Sequence, residues 1–148
     1  MEPRVQRRLV DSLYIEAMVL ADEARSYFDL GGKQERELLG PLARVSFSCE
    51  SLKVTTRLMH IIAWLLTQRA IDAKEMTLLE ALDPSRRLGS PPLTDAETLA
   101  EMPIQARALI EGSIDLYRRT ALLDESQVAP APRISPARSM QERLAIAF

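Results

Sequence analysis

Apolar side chains recur at alternating three- and four-residue intervals along most of the chain, the spacing that lines one stripe of an α-helix. Val10, Leu13, Ala17, Leu20, Ala24 and Tyr27 hold this register without a slip, and Gly31-Gly32 follow as a stop. The pattern predicts a helix from about Glu2 to Leu30. A longer register runs through Leu38, Leu42, Val45, Cys49, Leu52, Thr56, Met59, Ala63, Leu66 and Ala70. Pro41 is tolerated in a first helical turn, so either the helix starts near Gly40 or a short turn joins it with a bend. The unbroken register favours a single bent element ending near Lys74. Thr77 and Glu80 have capping-box spacing and open a short helix before Pro84. Thr94 and Glu97 form a second such box, followed by Leu99, Met102, Ala106, Leu109, Ser113, Leu116, Thr120 and Leu123. This third register crosses Pro103, which marks a kink or a restart.

Between the second and third registers, Asp83 to Leu93 carries Pro84, Gly89, Pro91 and Pro92 and reads as an exposed loop. From Glu125 the chain is too rich in Pro and too poor in large apolar residues to build a core. Period-two alternation is absent. The expected fold is all-α: an antiparallel three-helix bundle with a long central helix over residues 1–124, and a disordered C-terminal tail over 125–148. At the end of that tail Met140, Leu144 and Phe148 recur every four residues, the form of a short linear motif that folds in a partner's groove.

The central helix has more apolar circumference than two neighbours can cover. Its seam lies on one side, Leu58, Ile62 and Leu65 lie further round, and Ile61 with Trp64 lie on a third side. An uncovered patch of that kind marks association, and a closed two-fold dimer is the commonest way to bury it. The expectation is a homodimer, with Lys53, Arg57, His60, Ile61 and Trp64 at the dimer or partner interface. Seated on the seam, Cys49 is expected to be buried and inert.

Composition narrows the chemistry. A formal charge of −2 over 148 residues disfavours a protein whose main task is to neutralise nucleic-acid phosphates. One cysteine and one histidine leave no intramolecular disulfide, no Cys-based zinc site and no spare base for a triad. Gly31-Gly32 lack the third glycine and the Lys-Ser/Thr pair of a phosphate loop. Glu35 and Glu37 read as a solvated helical start, and Arg86 and Arg87 as solvated loop charges. No apolar run approaches the roughly 20 residues needed to span a bilayer. No secretory signal is evident, so a cytoplasmic protein is expected. His60 could serve as a phosphoacceptor with Arg57 as its cation, but Trp64 is bulky where room is wanted. A structural or interface histidine is the better reading. Neither catalytic residues, nor a cofactor, nor a metal is expected.

The run Ser48-Cys49-Glu50-Ser51-Leu52-Lys53-Val54-Thr55-Thr56-Arg57-Leu58-Met59-His60, continuing through Ala63-Trp64-Leu65-Leu66-Thr67-Gln68-Arg69-Ala70, resembles the alphaproteobacterial regulator of CtrA degradation (RcdA) family. The likeness is most specific in Glu50-Ser51, Thr55 to Met59, Trp64 to Leu66 and Gln68 to Ala70. It is looser over the other helices. His60 departs from the family pattern, in which Gln is more usual. The resemblance implies a dimerising three-helix bundle with a disordered C-terminal part and a non-enzymatic role in regulated proteolysis. Such an adaptor serves the ClpXP protease. Its implied partners are the ClpX unfoldase primed by a CpdR-like response regulator, and PopA-like adaptors or cell-cycle substrates as cargo, with a transient place at a cell pole. The alternative from the residues alone is a helical phosphorelay or signalling bundle using His60.

Overall fold

The computed structural model describes residues 3–128 and 136–147. Three long helices form its body: α1 (Pro3–Ser26), α3 (Pro41–Asp72) and α6 (Ile104–Val128). Shorter helices α2 (Lys33–Glu37), α4 (Leu78–Ala81) and α5 (Ala96–Glu101) lie in the connections, and α7 (Pro136–Ala147) follows the bundle. No helix among the described residues is long and apolar enough to cross a membrane.

The expected seams of α1 and α6 are the observed core. Val10, Leu13, Ala17, Ala24 and Tyr27 are buried from the first register, and Met102, Ala106, Leu109, Ser113, Leu116, Thr120 and Leu123 from the third. At the end of α1 the backbone widens into a π-turn, Tyr27–Gly31. This turn packs Tyr27 and Phe28 against Phe47 at ring separations of 6.1 and 5.3 Å. A Cβ at Gly32 would stand 2.8 Å from the Tyr27 ring, so only glycine allows the chain to fold back over that tyrosine. The Tyr27 hydroxyl donates to Glu35; burial and that carboxylate raise its pKa well above the ordinary phenol value.

Two expectations about the elements are corrected. The second element is not one bent helix: Gly40 is extended and Pro41 occupies the first turn of a new helix, where its fixed φ and missing N–H do no harm. At Pro103 the structure takes the second of the two readings offered, a restart that separates α5 from α6. The cap of α5 is Asp95, whose carboxylate accepts from the Thr98 N–H at 2.8 Å, because Thr94 is drawn into the core instead. Thr77 does cap α4, accepting from the Glu80 N–H. The helix α6 continues through Val128, and a further helix spans Pro136–Ala147.

The bundle is not uniformly antiparallel. Asp11 meets Arg69, and Arg7 meets Asp72, so α1 and α3 run in opposite directions. Glu16 meets Arg119 and Leu20 faces Gly112, so α1 and α6 are also antiparallel. Along α3 and α6, however, Arg57 meets Ser113, Trp64 meets Asp124 and Gln68 meets Gln127. Partner numbers rise together, so these two helices are parallel. Two parallel helices in sequence require the chain to travel back along the bundle between them. The segment Arg87–Asp95 does this, lying as a strap over the α3–α6 groove. Its expected exposure is therefore corrected: Leu88 is buried, and several strap carbonyls are held by core side chains.

The largest correction concerns α3. Its buried residues are Phe47, Glu50, Val54, Arg57, Leu58, Ile61, Trp64, Leu65 and Gln68. The register expected to be its seam lies on the opposite side. Leu42 is 85% exposed, and Val45, Leu52, Met59 and Leu66 are exposed as well; so is Cys49, which is therefore not the buried thiol expected. At 100° per residue the two sets point about 170° apart. The helix is apolar on both faces, and the inward one carries three polar side chains that made it read as the outside.

This assignment predicts an inverted pattern of sensitivity. Ile61→Ala should cost about 2–5 kcal/mol, as deletion from a filled core does. Leu52→Ala, with the larger part of its side chain already in water, should cost under about 1 kcal/mol. Urea unfolding of the two variants at low protein concentration reads the difference; equal losses would mean that α3 is rotated from the position described.

Candidate functional site

The inward face of α3 holds a polar stripe at intervals of seven, seven and four: Glu50, Arg57, Trp64 and Gln68. Helical spacing stacks them on one side, where the strap and α6 meet them. Arg57 is 0% exposed. Its Nε and Nη2 donate to the Pro92 carbonyl at 3.2 and 3.0 Å. Nη2 also donates to Thr94 Oγ1 at 2.7 Å, and Nη1 to Ser113 Oγ at 3.2 Å. The Thr94 hydroxyl in turn donates a hydrogen bond to Glu50 Oε2 at 2.6 Å. Lys53 bridges the other Glu50 oxygen at 2.9 Å and the Leu93 carbonyl at 2.7 Å. Burial lowers the Arg57 pKa and the Glu50 charge opposes that shift; the guanidinium stays protonated.

Two turns further along, the Trp64 indole N–H donates to Asp124 Oδ1 at 3.0 Å. Arg87 grips the same carboxylate side-on, through Nε at 2.7 Å and Nη2 at 2.8 Å. That hydrogen bond raises the Arg87 pKa. The Tyr117 hydroxyl donates to the strap carbonyls of Leu88 and Gly89 at 2.8 and 2.9 Å; burial, with the Asp124 charge behind it, raises its pKa. Among the described residues, Arg107 Nε is the only buried side-chain polar atom without a partner. The polar stripe is thus complete, which makes it a clamp rather than an open catalytic constellation.

The residues expected at an interface are divided by this geometry. Ile61 at 0% and Trp64 at 3% exposure lie inside a single subunit, and Arg57 is enclosed with them, so these three are corrected from surface to interior. Lys53 is half-buried and engaged with Glu50 and Leu93. His60 is exposed. The physical reason is the rotation of α3: the stripe Lys53, Arg57, His60 and Trp64 runs along the edge of the inward face, not along a free one. What α3 offers to solvent is the row Leu42, Val45, Cys49, Leu52, Met59 and Leu66. On α7, Met140 and Leu144 are exposed; Phe148 lies outside the described residues. No group of three or more His, Cys, Asp or Glu side chains poised for a metal is present among the described residues.

Sequence reasoning missed Thr94, Ser113, Tyr117 and Asp124 as members of the clamp. No local spacing marks them, since their partners are distant in the chain. Glu50 carried a usable signal: it shares the seven-residue spacing of Arg57 and Trp64.

A family described as "Protein of unknown function (DUF1465)" matches residues 1–148, the whole chain. The chain belongs to the DUF1465 family. Among solved structures, this DUF1465 protein is similar to RcdA from Caulobacter crescentus CB15, with 29% identity and a TM-score of 0.65 over 80% of this chain and 90% of that one. It is RcdA-like, as the motif around Arg57 and Trp64 implied. No curated protein matches it. Glu50, Arg57, Trp64 and Gln68, which lie in the segment whose motif suggested the resemblance, form the polar stripe just described.

The clamp predicts a large penalty for removing one charge alone. Arg57→Met strands Glu50 and the Pro92 carbonyl in the interior and should cost about 3–5 kcal/mol. Adding Glu50→Gln to that background should recover part of the loss. Chemical denaturation of both single variants and the double variant checks the coupling; strictly additive losses would show that the two residues act separately.

Proposed function

We propose that this protein is a non-enzymatic adaptor in regulated proteolysis. It would tether substrates, or secondary adaptors carrying them, to the ClpXP protease. The observation that carries this reading is the likeness to RcdA over four-fifths of the chain, together with a whole-chain family match. The physical requirement is modest: an adaptor needs separate binding surfaces on one rigid body, and it acts by raising local concentration. The clamped bundle supplies the rigidity. The partners proposed are the ClpX unfoldase with a CpdR-like response regulator, and PopA-like adaptors or cell-cycle regulators as cargo. Action is proposed in the cytoplasm, with a transient place at a cell pole.

The working unit proposed is a homodimer, joined through the outward row of α3 rather than through Ile61 and Trp64. Exposed leucines and a methionine along one helix face form the kind of patch that association covers. The C-terminal segment with Met140, Leu144 and Phe148 is proposed as a second docking element for a partner groove. A phosphorelay reading has one observation in its favour, the exposure of His60.

Two measurements test these readings. Recovery of bound proteins from the native cytoplasm, with the full chain and with residues 125–148 removed, should yield ClpX and a response regulator with the full chain. Recovery of neither would overturn the protease connection. In the same assay His60→Gln should leave partner recovery close to intact, whereas a phosphorelay would lose all function. For the oligomer, Leu52→Asp with Met59→Asp should convert a dimer to a folded monomer in sedimentation at dilute concentration. An unchanged sedimentation coefficient would move the interface off α3.

A further inference from the structure

A groove of about 390 Å³ runs along the strap where Pro91, Pro92 and Leu93 meet Ile114, Ala121 and Glu125 of α6. Its walls are mainly apolar. Leu93 is 80% exposed, and Ile114 and Val128 are exposed as well. The α6 wall is a stripe at helical spacing, Ile114, Arg118, Ala121 and Glu125, on one side of the helix beside its core residues. Charges at the rim are already engaged: Arg118 pairs with Asp115, and the Glu125 charge acts on Arg87. What the groove lacks is a cover for its apolar walls, not a counter-charge.

The chain itself leaves α6 at one end of this groove. Val128, the last residue of α6, lies one turn beyond Glu125, and seven residues, 129–135, lead from it to α7. Connections of about two to eight residues join neighbouring helices in bundles, so this one is short enough to turn α7 back along α6. The lengths agree. The groove runs about 17 Å along α6 from Ile114 to Glu125, and the 12 residues of α7 span about 18 Å. Met140 and Leu144 share one face of α7, and both are exposed; Phe148 continues their spacing in the sequence. An apolar helix face and an apolar groove thus stand uncovered at the two ends of one short link.

We propose that the groove between the strap and α6 is the seat of α7 of the same chain. Seated antiparallel to α6, α7 lays Met140 and Leu144 against Ile114, Ala121 and the outer side chain of Leu93, as a fourth helix beside the bundle. With Met140 and Leu144 in solvent, the structure holds the open arrangement. The short link keeps α7 at an effective concentration on the order of millimolar, so a contact too weak to persist between separate molecules is populated within one chain. The consequence is regulatory: a partner that takes the apolar face of α7 must displace it, and its affinity falls in proportion to the fraction of α7 left free. This inference rests on the reading of the C-terminal segment as a docking element and names where that segment lies when no partner holds it.

The test is paramagnetic broadening in the full chain alone, so its outcome is independent of whether ClpX is recovered. Ala145 is exposed and lies off the Met140–Leu144 face; a nitroxide is attached at Ala145→Cys in a Cys49→Ser background. The amides of Ile114 and Leu93 should broaden, and mixing labelled chain with isotopically enriched unlabelled chain should leave them sharp. Leu144→Asp should lower the docked fraction about tenfold or more and sharpen both signals. Leu93→Asp, an exposed change on the groove side, should do the same without shifting the amides of α1. Broadening confined to the end of α6 near Val128, or unmoved by either substitution, would overturn the proposal. So would broadening at Leu52 and Met59, which would seat α7 on α3, or equal broadening in the mixed sample, which would seat it on a second copy.

Discussion

The fold depends on one buried guanidinium. Arg57 sits between two helices that run the same way, and a connection between parallel helices must return along their length with its backbone groups satisfied. In a sheet those groups would find a ladder; between helices no ladder exists. Side chains must take the place of a neighbouring strand, and Arg57, Lys53 and Tyr117 do so by donating to the carbonyls of Pro92, Leu93, Leu88 and Gly89. Pro91 and Pro92 suit such a segment because they present carbonyls while requiring no partner for an N–H. The arginine is therefore a part of the topology. Without a fork-shaped donor at that level, the strap would lose the side chain that holds its Pro92 carbonyl in the groove.

Burying Arg57 brings its own cost, since a charge in the interior must be matched and hydrogen-bonded on every side. Glu50 supplies the opposite charge through Thr94, and Ser113 takes the remaining edge of the guanidinium. These dependencies explain why Thr94 does not cap α5 although its spacing to Glu97 suits a capping box. Its hydroxyl relays between the two buried charges, and Asp95 caps one residue later. A local sequence rule gave way to a tertiary demand at that point, and the neighbouring aspartate kept the helix start satisfied.

The same demand explains which parts of the fold were legible in the sequence. The core faces of α1 and α6 follow directly from their registers, because each has one apolar side and the polar exceptions within the register are small: Ser113 and Thr120 fit inside and bond their own helix. The central helix misled because two registers are written into it, one of them apolar and facing out. Leu42, Val45, Leu52, Met59 and Leu66 keep an unbroken heptad-like spacing, whereas Phe47, Leu58, Ile61 and Leu65 are interrupted by Glu50, Arg57 and Gln68. Periodicity weighs side-chain polarity and has no means of knowing that a glutamate and an arginine satisfy each other. The excess of apolar circumference was correctly readable from sequence; the side that carries it was not. Parallel running of α3 and α6 was hidden for the related reason that the strap resembles an ordinary exposed loop until its carbonyl partners are known.

The rotation of α3 relocates functional reasoning as well as packing. If Ile61 and Trp64 had faced solvent, any partner surface would have overlapped the clamp, and binding would have competed with the contacts that hold the strap. Instead the clamp is closed and the outward row is chemically simple, built of aliphatic and thioether groups with an exposed thiol at Cys49. Stability thus resides on one face of α3 and the association surface proposed above lies on the other, so a change on the outward face leaves the clamp's contacts in place.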